Sequence, residues 1–523
     1  MVVNANLESP FSVARGATSL YIANVVVLLA NTLYFLVLTN ILRSTLDVGI
    51  VTALNIMIWL LVTICILAQP ITVQSPIPAP LAVLKFIPEM LAKNSRTASV
   101  KIFKISLAFA GIVSGGLAVI LVVSPNVAIL LMGGEVLPEF VRLSAVDVFL
   151  LSLGQICLGT LIALGDMKRA TSYIILWSIA RYALASLLLV PYSIVGVLLG
   201  WILGDALFLI AALLTSIRDI HASSDNSGFS LYQLSRYSFY TLFSALMGFG
   251  INQADKIFAL AQRGLQELAI YNVAIVAASF VGFAPYALLT ILLPALSALC
   301  ASRKAKDMRE MIRSYTRYVS IVVIPIAVGF ASVTEVALRI FGPEYTSGFV
   351  PSVIVSLATG LTAISAIYAA VLLAIGELRW YTAANLLGLA GLFALSALLT
   401  PVLGLRGPAI GRAGLMVLTT AVYGMATKRH DLLELDSRAL LSAAGSAALM
   451  GFVVFEGLSL IHSFYLKFLT LPVWVTVGVF VYVGFLRGFR LLTTGDLEFV
   501  RGILPNRFRR LLPVIAKLAG IDL

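Results

Sequence analysis

The chain has 523 residues, 60% of them hydrophobic and 11% charged, with a mean hydropathy of +1.03. A water-soluble fold has no use for that much apolar material, so no soluble domain is left to assign and the chain reads as a polytopic membrane protein. Its net charge of +12 is then a matter of topology and requires no nucleic acid as partner.

In chain order, Glu8 and Arg15 precede a full-length apolar span with no small-residue cleavage site, so the first helix is expected to be retained. Runs of about 20 apolar residues, each able to cross roughly 30 Å of hydrocarbon, give about fourteen spans. They lie at 17–39, 48–69, 103–124, 141–164, 170–190, 193–216, 237–258, 269–298, 317–338, 350–374, 380–401, 405–427, 439–460 and 466–486. With the N-terminus inside, about 27 Lys and Arg fall on the cytoplasmic side against about 8 outside, so both termini are expected in the cytoplasm. Between the second and third spans, the proline-rich stretch Gln69–Pro80 predicts a cytoplasmic elbow with an interfacial segment. Cys65, Cys157 and Cys300 sit in or at the end of apolar spans without metal-ligand spacing and read as packing residues. His221, His430 and His462 fall in loops, and the tail from Arg487 mixes Arg and Lys with Phe499, Phe508 and Leu511 as an amphipathic segment on the inner leaflet.

The chain repeats itself weakly at three places in the same order. Arg43, Asp47 and Ile50 match Arg263, Glu267 and Ile270; Pro88 matches Pro294; Gly133, Glu135 and Phe140 match Gly342, Glu344 and Phe349. Six spans per half keep both halves in one orientation, which predicts an all-α fold of two parallel-repeat six-helix lobes around a central cavity, plus two C-terminal helices. The expected divisions are 1–216 and 217–430 for the lobes, 431–487 for the last two spans and 488–523 for the tail.

Polar residues inside the spans are the candidate functional groups, because a polar face in lipid must look into protein or water. Thr241, Ser244, Gly248, Asn252 and Asp255 follow helical spacing along one face, and Tyr21, Asn24 and Asn31 place a polar face on the first span. Asn24, Asn31, Asn252 and Lys256 are thus candidate cavity residues, with interhelical hydrogen bonding as the competing role. Asp255 and Lys256 are expected near the outer end of their span, where a solvated pair is cheap. Arg181 lies mid-span, at a cost of roughly 3 kcal/mol, and needs an anion. Tyr173, Trp177 and Arg181 share one face, suited to a sugar and phosphate or to cation–π packing, while Asp205 lies mid-span in the next helix and Asp147 in the fourth. Either Arg181 pairs with Asp205 and locks the N-terminal lobe, or it binds an anionic head group while Asp205, Asp147 or Asp255 senses a coupling ion. Arg412 and Glu335 are expected to snorkel outward. There is no P-loop, no metal-binding His/Glu pattern and no large outward acidic loop, so an enzyme is not expected.

The run Asp255-Lys-Ile to Glu267-Leu-Ala-Ile-Tyr271, then Pro285, Pro294 and Ile340-Phe-Gly-Pro-Glu-Tyr345, resembles the polysaccharide biosynthesis (O-antigen-type) flippases of the multidrug/oligosaccharidyl-lipid/polysaccharide exporter superfamily. The resemblance implies a polyprenyl-linked oligosaccharide moved from the inner to the outer leaflet of the cell membrane by alternating access. It also implies coupling to H+ or Na+, no other cofactor, cationic cavity residues such as Arg181, Lys256 and Arg412, glycan polymerase or transferase partners, and a monomeric transporter. The last two spans are either a lipid-tail groove or plain lipid-facing helices. Two alternatives stand beside this reading: a cation-coupled multidrug antiporter of about twelve spans, and a non-transporting scaffold of a glycan-synthesis complex.

Overall fold

A computed structural model describes residues 10–68, 81–93, 95–219, 231–282, 292–293 and 295–488. Among these no strand occurs. The helices are α1 (Pro10–Leu42), α2 (Thr45–Ile66), α3 (Leu81–Ala92), α4 (Arg96–Val123), α5 (Asn126–Leu131), α6 (Pro138–Ala163), α7 (Met167–Asp219) and α8 (Leu231–Arg263). They continue as α9 (Leu265–Ala278), α10 (Ala305–Phe341), α11 (Phe349–Ala374), α12 (Leu378–Leu403), α13 (Arg406–Arg429), α14 (Ser437–Ser459) and α15 (Phe464–Gly488). The proline-rich stretch 69–80, Pro285, Pro294, His221 and the tail 489–523 lie outside the described residues.

Twelve described helices are long and apolar enough to cross a membrane. One of them, α7, has 53 residues and would run about 80 Å if straight, far more than a bilayer. It turns back at Ser193, whose φ of 52° and ψ of −134° break the helix just after Pro191, so it supplies two crossings. The 33-residue α8 carries the polar stripe and is long enough to be a further crossing, which brings the count to the fourteen or so expected.

By packing, the chain divides into two compact units: Met1–Val273 with Leu392–Gly411, and Ala274–Gly391 with Arg412–Leu523. In the first unit α6 packs along both arms of α7, α1 lies against α7, and α2, α3 and α4 close on α6. The two arms of α7 meet through Gly196, Gly200 and Gly204, spaced four apart on one face of the second arm. A Cβ at Gly196 would strike the Leu188 carbonyl, one at Gly200 the Ala185 backbone, and one at Gly204 would lie 2.6 Å from the Arg181 Cα. Small residues at this spacing let backbones approach within van der Waals contact, which is the main cohesive term available to helices in lipid.

In the second unit α10 packs against α11 and α14, around Ile312, Val319, Val323, Ile367 and Val371. The last two helices are docked on that frame. Tyr482 donates to the Ile321 carbonyl at 2.7 Å, Lys467 pairs with Glu335 at 3.3 Å, and Gly457 admits the Trp474 ring. Glu335, expected to snorkel outward, thus joins α10 to α15. The exposed faces of α14 and α15 carry Leu441, Phe452, Leu469, Val473 and Phe480, apolar surface that suits either a lipid-tail groove or plain lipid-facing helices.

The internal repeat recurs as conformation. α1 and α8 are both 33 residues long and α6 and α11 both 26. After α6 and α11 the chain turns at Gly165 (φ 81°) and Gly376 (φ 79°), with the same pair of capping bonds: Gly165 to Ile162 and Asp166 to Leu161, Gly376 to Leu373 and Glu377 to Leu372. At the same spacing, Ser193 (φ 52°) is matched by Gly404 (φ 59°), Gly196 by Gly407 and Gly200 by Gly411.

Replacing Gly200 with Val forces the α7 arms apart. The expected loss is about 1–3 kcal/mol or more, read as a lower thermal unfolding midpoint of the detergent-purified protein, whereas Gly484→Val, where a Cβ meets nothing, leaves the midpoint unchanged.

Candidate functional site

The α7 hairpin brings Arg181 on its first arm opposite Asp205 on its second, and α6 presents Asp147 to both. Arg181 is 1% exposed, Asp147 1% and Asp205 0%. The guanidinium takes Asp147 in a fork, Nη2 to Oδ2 at 2.9 Å and Nη1 to Oδ1 at 3.4 Å, and its Nη1 also donates to Asp205 Oδ2. The remaining Asp205 oxygen accepts the Trp177 indole N–H at 2.7 Å. Every carboxylate oxygen of the pair therefore has a donor, the condition under which buried charges persist.

An aromatic shell closes the cluster. The Arg181 guanidinium lies 4.8 Å from the centre of the Trp201 ring, a cation–π contact in a desolvated site. Tyr34 from α1 stacks on Tyr182 at 5.1 Å, and Trp177 packs against Trp59 and Phe208. Gly154 on α6 makes room for that Phe208 ring, 2.6 Å from where its Cβ would stand.

Of the two roles foreseen for Arg181, the geometry is that of the ion pair, enlarged by Asp147. A side chain enclosed by two carboxylates and an indole presents no face to a head group in this conformation. Tyr173 shares the helix face of Trp177 and Arg181, but its hydroxyl is bonded to Thr215 Oγ1 at 2.6 Å, tying the two α7 arms at their other end.

Asp255 departs from one expectation. Of the two readings for it, a solvated pair near the outer end of the span and an ion-coupling acid, the solvated pair is excluded, because Asp255 is 0% exposed and accepts a hydrogen bond from Tyr271 of α9 at 2.7 Å. The apolar run ends close by, but α8 continues to Arg263 and α9 folds back beside it, so the end of hydrophobicity is not the end of burial. Its neighbour Lys256 is partly exposed. Asn252 is partly exposed and donates to the Gly248 carbonyl of its own helix at 2.9 Å. Asn24 and Asn31 are partly exposed on α1. Arg412, expected to snorkel, is instead buried within α13 at 7% exposure. His430 and His462 are exposed outside the helices, as expected.

The glycine stripe was the signal the sequence reading passed over. Gly196-Val-Leu-Leu-Gly200-Trp-Ile-Leu-Gly204-Asp205 announces a close helix contact ending at an acid, and that contact sets the distance from Asp205 to Arg181.

Arg181→Ala leaves two buried carboxylates facing each other and is expected to cost about 3–5 kcal/mol of stability, whereas Trp177→Phe, which removes one hydrogen bond to a charged group, costs about 1.5–3 kcal/mol. Thermal and denaturant unfolding in detergent measures both. Tyr271→Phe leaves Asp255 short of a donor and should lower stability by about 1–3 kcal/mol in the same assay.

A family model described as polysaccharide biosynthesis protein matches residues 90–353, just over half of the chain. No curated protein matches in sequence. Among solved structures, the lipid II flippase MurJ in an inward closed conformation aligns with a TM-score of 0.69 at 11% identity, covering 94% of this chain and 99% of that one. A Vibrio cholerae MATE transporter aligns with a TM-score of 0.57 at 14% identity, covering 81% of this chain and 98% of its own. A MOP superfamily transporter from Pyrococcus furiosus aligns with a TM-score of 0.56 at 16% identity, covering 80% and 96%. At these identities the likeness establishes the fold, that of the MurJ and MATE transporters.

Proposed function

The chain belongs to the polysaccharide biosynthesis protein family, and on that premise we propose that it is a flippase that carries a polyprenyl-linked oligosaccharide from the inner to the outer leaflet, by alternating access and coupled to an ion gradient. The product would feed surface polysaccharide or glycoprotein assembly in the cell membrane. The observation that carries this beyond fold is extent. MurJ, a lipid II flippase, covers 94% of the chain, while the Vibrio cholerae MATE transporter covers 81%, and a twelve-crossing drug antiporter has no use for the further docked pair α14 and α15.

A flippase must hydrogen-bond a sugar head group while leaving the isoprenoid tail in lipid. Asn24 and Asn31 on α1, and Asn252 and Lys256 on α8, are partly exposed polar groups on helices of one unit and are the residues assigned to that head group. Lys256 is the cation for its phosphate. Arg181, Asp147 and Asp205, with Trp177 and Tyr173, are assigned to coupling rather than to the sugar, and Asp255 is the third acid of that group. No bond in the substrate is made or broken, so the activity is transport and not catalysis. The reading includes a monomer with both termini in the cytoplasm, handing substrate between a glycan transferase and a polymerase.

Proteoliposomes carrying a fluorescent polyprenyl-pyrophosphate oligosaccharide test this directly, with outer-leaflet label destroyed by an impermeant reductant. Wild type is expected to flip the lipid, and Lys256→Ala to weaken apparent affinity about tenfold, equivalent to about 1.4 kcal/mol of a charge-assisted contact. Absence of flipping together with export of small organic cations would move the assignment to a drug antiporter.

A further inference from the structure

The buried cluster is not electrically balanced. Two carboxylates, Asp147 and Asp205, face one guanidinium, and an arginine side chain stays charged at any pH a protein survives. Among the described buried charged residues of this unit the others are acids as well: Asp147, Asp205 and Asp255, with Arg181 as the sole cation. Titratable groups reaching the cluster from packed elements are Tyr34 of α1, Tyr182 of α7 and, beside Ser152 of α6, Cys65 of α2, none of them cationic. Among the described side chains, α3 and α4 bring Lys85, Glu89, Lys101 and Lys104, all exposed or partly exposed. Elsewhere on α1 and α2, Arg43 is exposed and Asp47 lies in the first turn capped by Ser44.

The internal repeat supplies a comparison within the same chain. The spacing that matches Gly165 with Gly376, Ser193 with Gly404 and Gly200 with Gly411 places Ala358, Leu392 and Met416 at the positions of Asp147, Arg181 and Asp205. All three are buried, at 8%, 0% and 8% exposure. The same turn and the same close glycine contacts therefore form in the second half with apolar residues at these three positions, although Arg412, Ser396 and Thr400 are buried nearby in the chain. The charges are not what the architecture needs, in keeping with the general finding that a buried ion pair can be replaced by packed apolar residues without loss.

We infer that the Asp147–Arg181–Asp205 triad is a proton-binding site holding one exchangeable proton shared by its two carboxylates. One proton brings the cluster to zero net charge, and two carboxylates in contact with one guanidinium titrate as a unit rather than as separate residues. Sodium requires several oxygen ligands and would sit against the Arg181 charge, whereas a proton needs only one remaining lone pair on an oxygen that already accepts from Arg181 or Trp177. The site joins α6 to both arms of α7, so gaining or losing the proton changes the contact between those elements. This inference deepens the transporter reading by naming its coupling ion, but proton binding itself does not depend on the substrate.

The test is infrared difference spectroscopy of the full chain in lipid, between acid and alkaline pH, following the carbonyl stretch of a protonated carboxylic acid in H2O and D2O, in sodium or choline chloride. Over the contribution of the exposed carboxyl groups, which titrate alike in every variant, wild type is expected to give an additional band from the buried site, unchanged by sodium. The band should vanish in Asp205→Asn and in Asp147→Asn, where one carboxylate balances one guanidinium. It should also vanish in the triple variant Asp147→Ala/Arg181→Leu/Asp205→Met, which carries the residues of the second half and is expected to unfold near the wild-type temperature. A band that persists in both single variants, one that sodium abolishes, or a triple variant that fails to fold would overturn the inference. Flipping assays under an imposed pH gradient separate it from the functional reading. A titrating band without glycolipid movement sinks the flippase and leaves the proton site standing, whereas gradient-driven flipping unaffected in Asp205→Asn sinks the proton site alone.

Discussion

A guanidinium inside an apolar helix bundle must be met by anions within hydrogen-bonding distance, and the first unit is arranged around meeting that requirement for Arg181. Asp205 comes from the returning arm of the same helix, so its approach is set by how closely two antiparallel arms pack. Glycines at 196, 200 and 204 bring the backbones into contact, and the Arg181 side chain then reaches across a space only that contact creates. Asp147 arrives independently, on α6, which is kept against α7 by Gly154 opening a seat for Phe208. Indole and phenol rings pack around the cluster, and burial among them strengthens every charge–dipole interaction inside.

The second half of the chain forms the same turns and glycine contacts with apolar residues at the three positions that correspond to Asp147, Arg181 and Asp205, and the second packing unit is held differently. What holds it is apolar burial along α10, α11 and α14, with a few polar ties where α15 lands on α10. Near-identical turns after α6 and α11 show how little sequence a shared backbone needs: a glycine with positive φ and two capping bonds are enough.

Much of this was legible beforehand because lipid imposes local rules. An apolar run of sufficient length reads as a crossing without reference to anything else, and a polar residue inside one stands out by its cost. Hence Arg181, Asp205 and Asp147 were singled out, and an Arg181–Asp205 pair was one of two roles foreseen. The solvated alternative for Asp255 fails for an equally physical reason. Hydropathy locates the edge of an apolar run, whereas burial depends on what folds back over it, here α9 with Tyr271. Tyr173 was aligned correctly with Trp177 and Arg181 on one face, but only the paired arm of α7 brings Thr215 to its hydroxyl.

By itself the sequence determined the membrane class, the count of crossings to within the ambiguity of α7 and α8, the weak internal repeat and the short roster of charged residues that lipid would not tolerate unpaired. Those properties are periodic or compositional and live within single helices. Tertiary structure decided which charges meet: that Arg181 takes two carboxylates instead of one, that Asp255 is buried, and that Arg412 does not reach outward. Pairing is a matter of a few ångströms between helices distant in the chain, fixed by glycine contacts and ring packing, and no one-dimensional pattern records those distances.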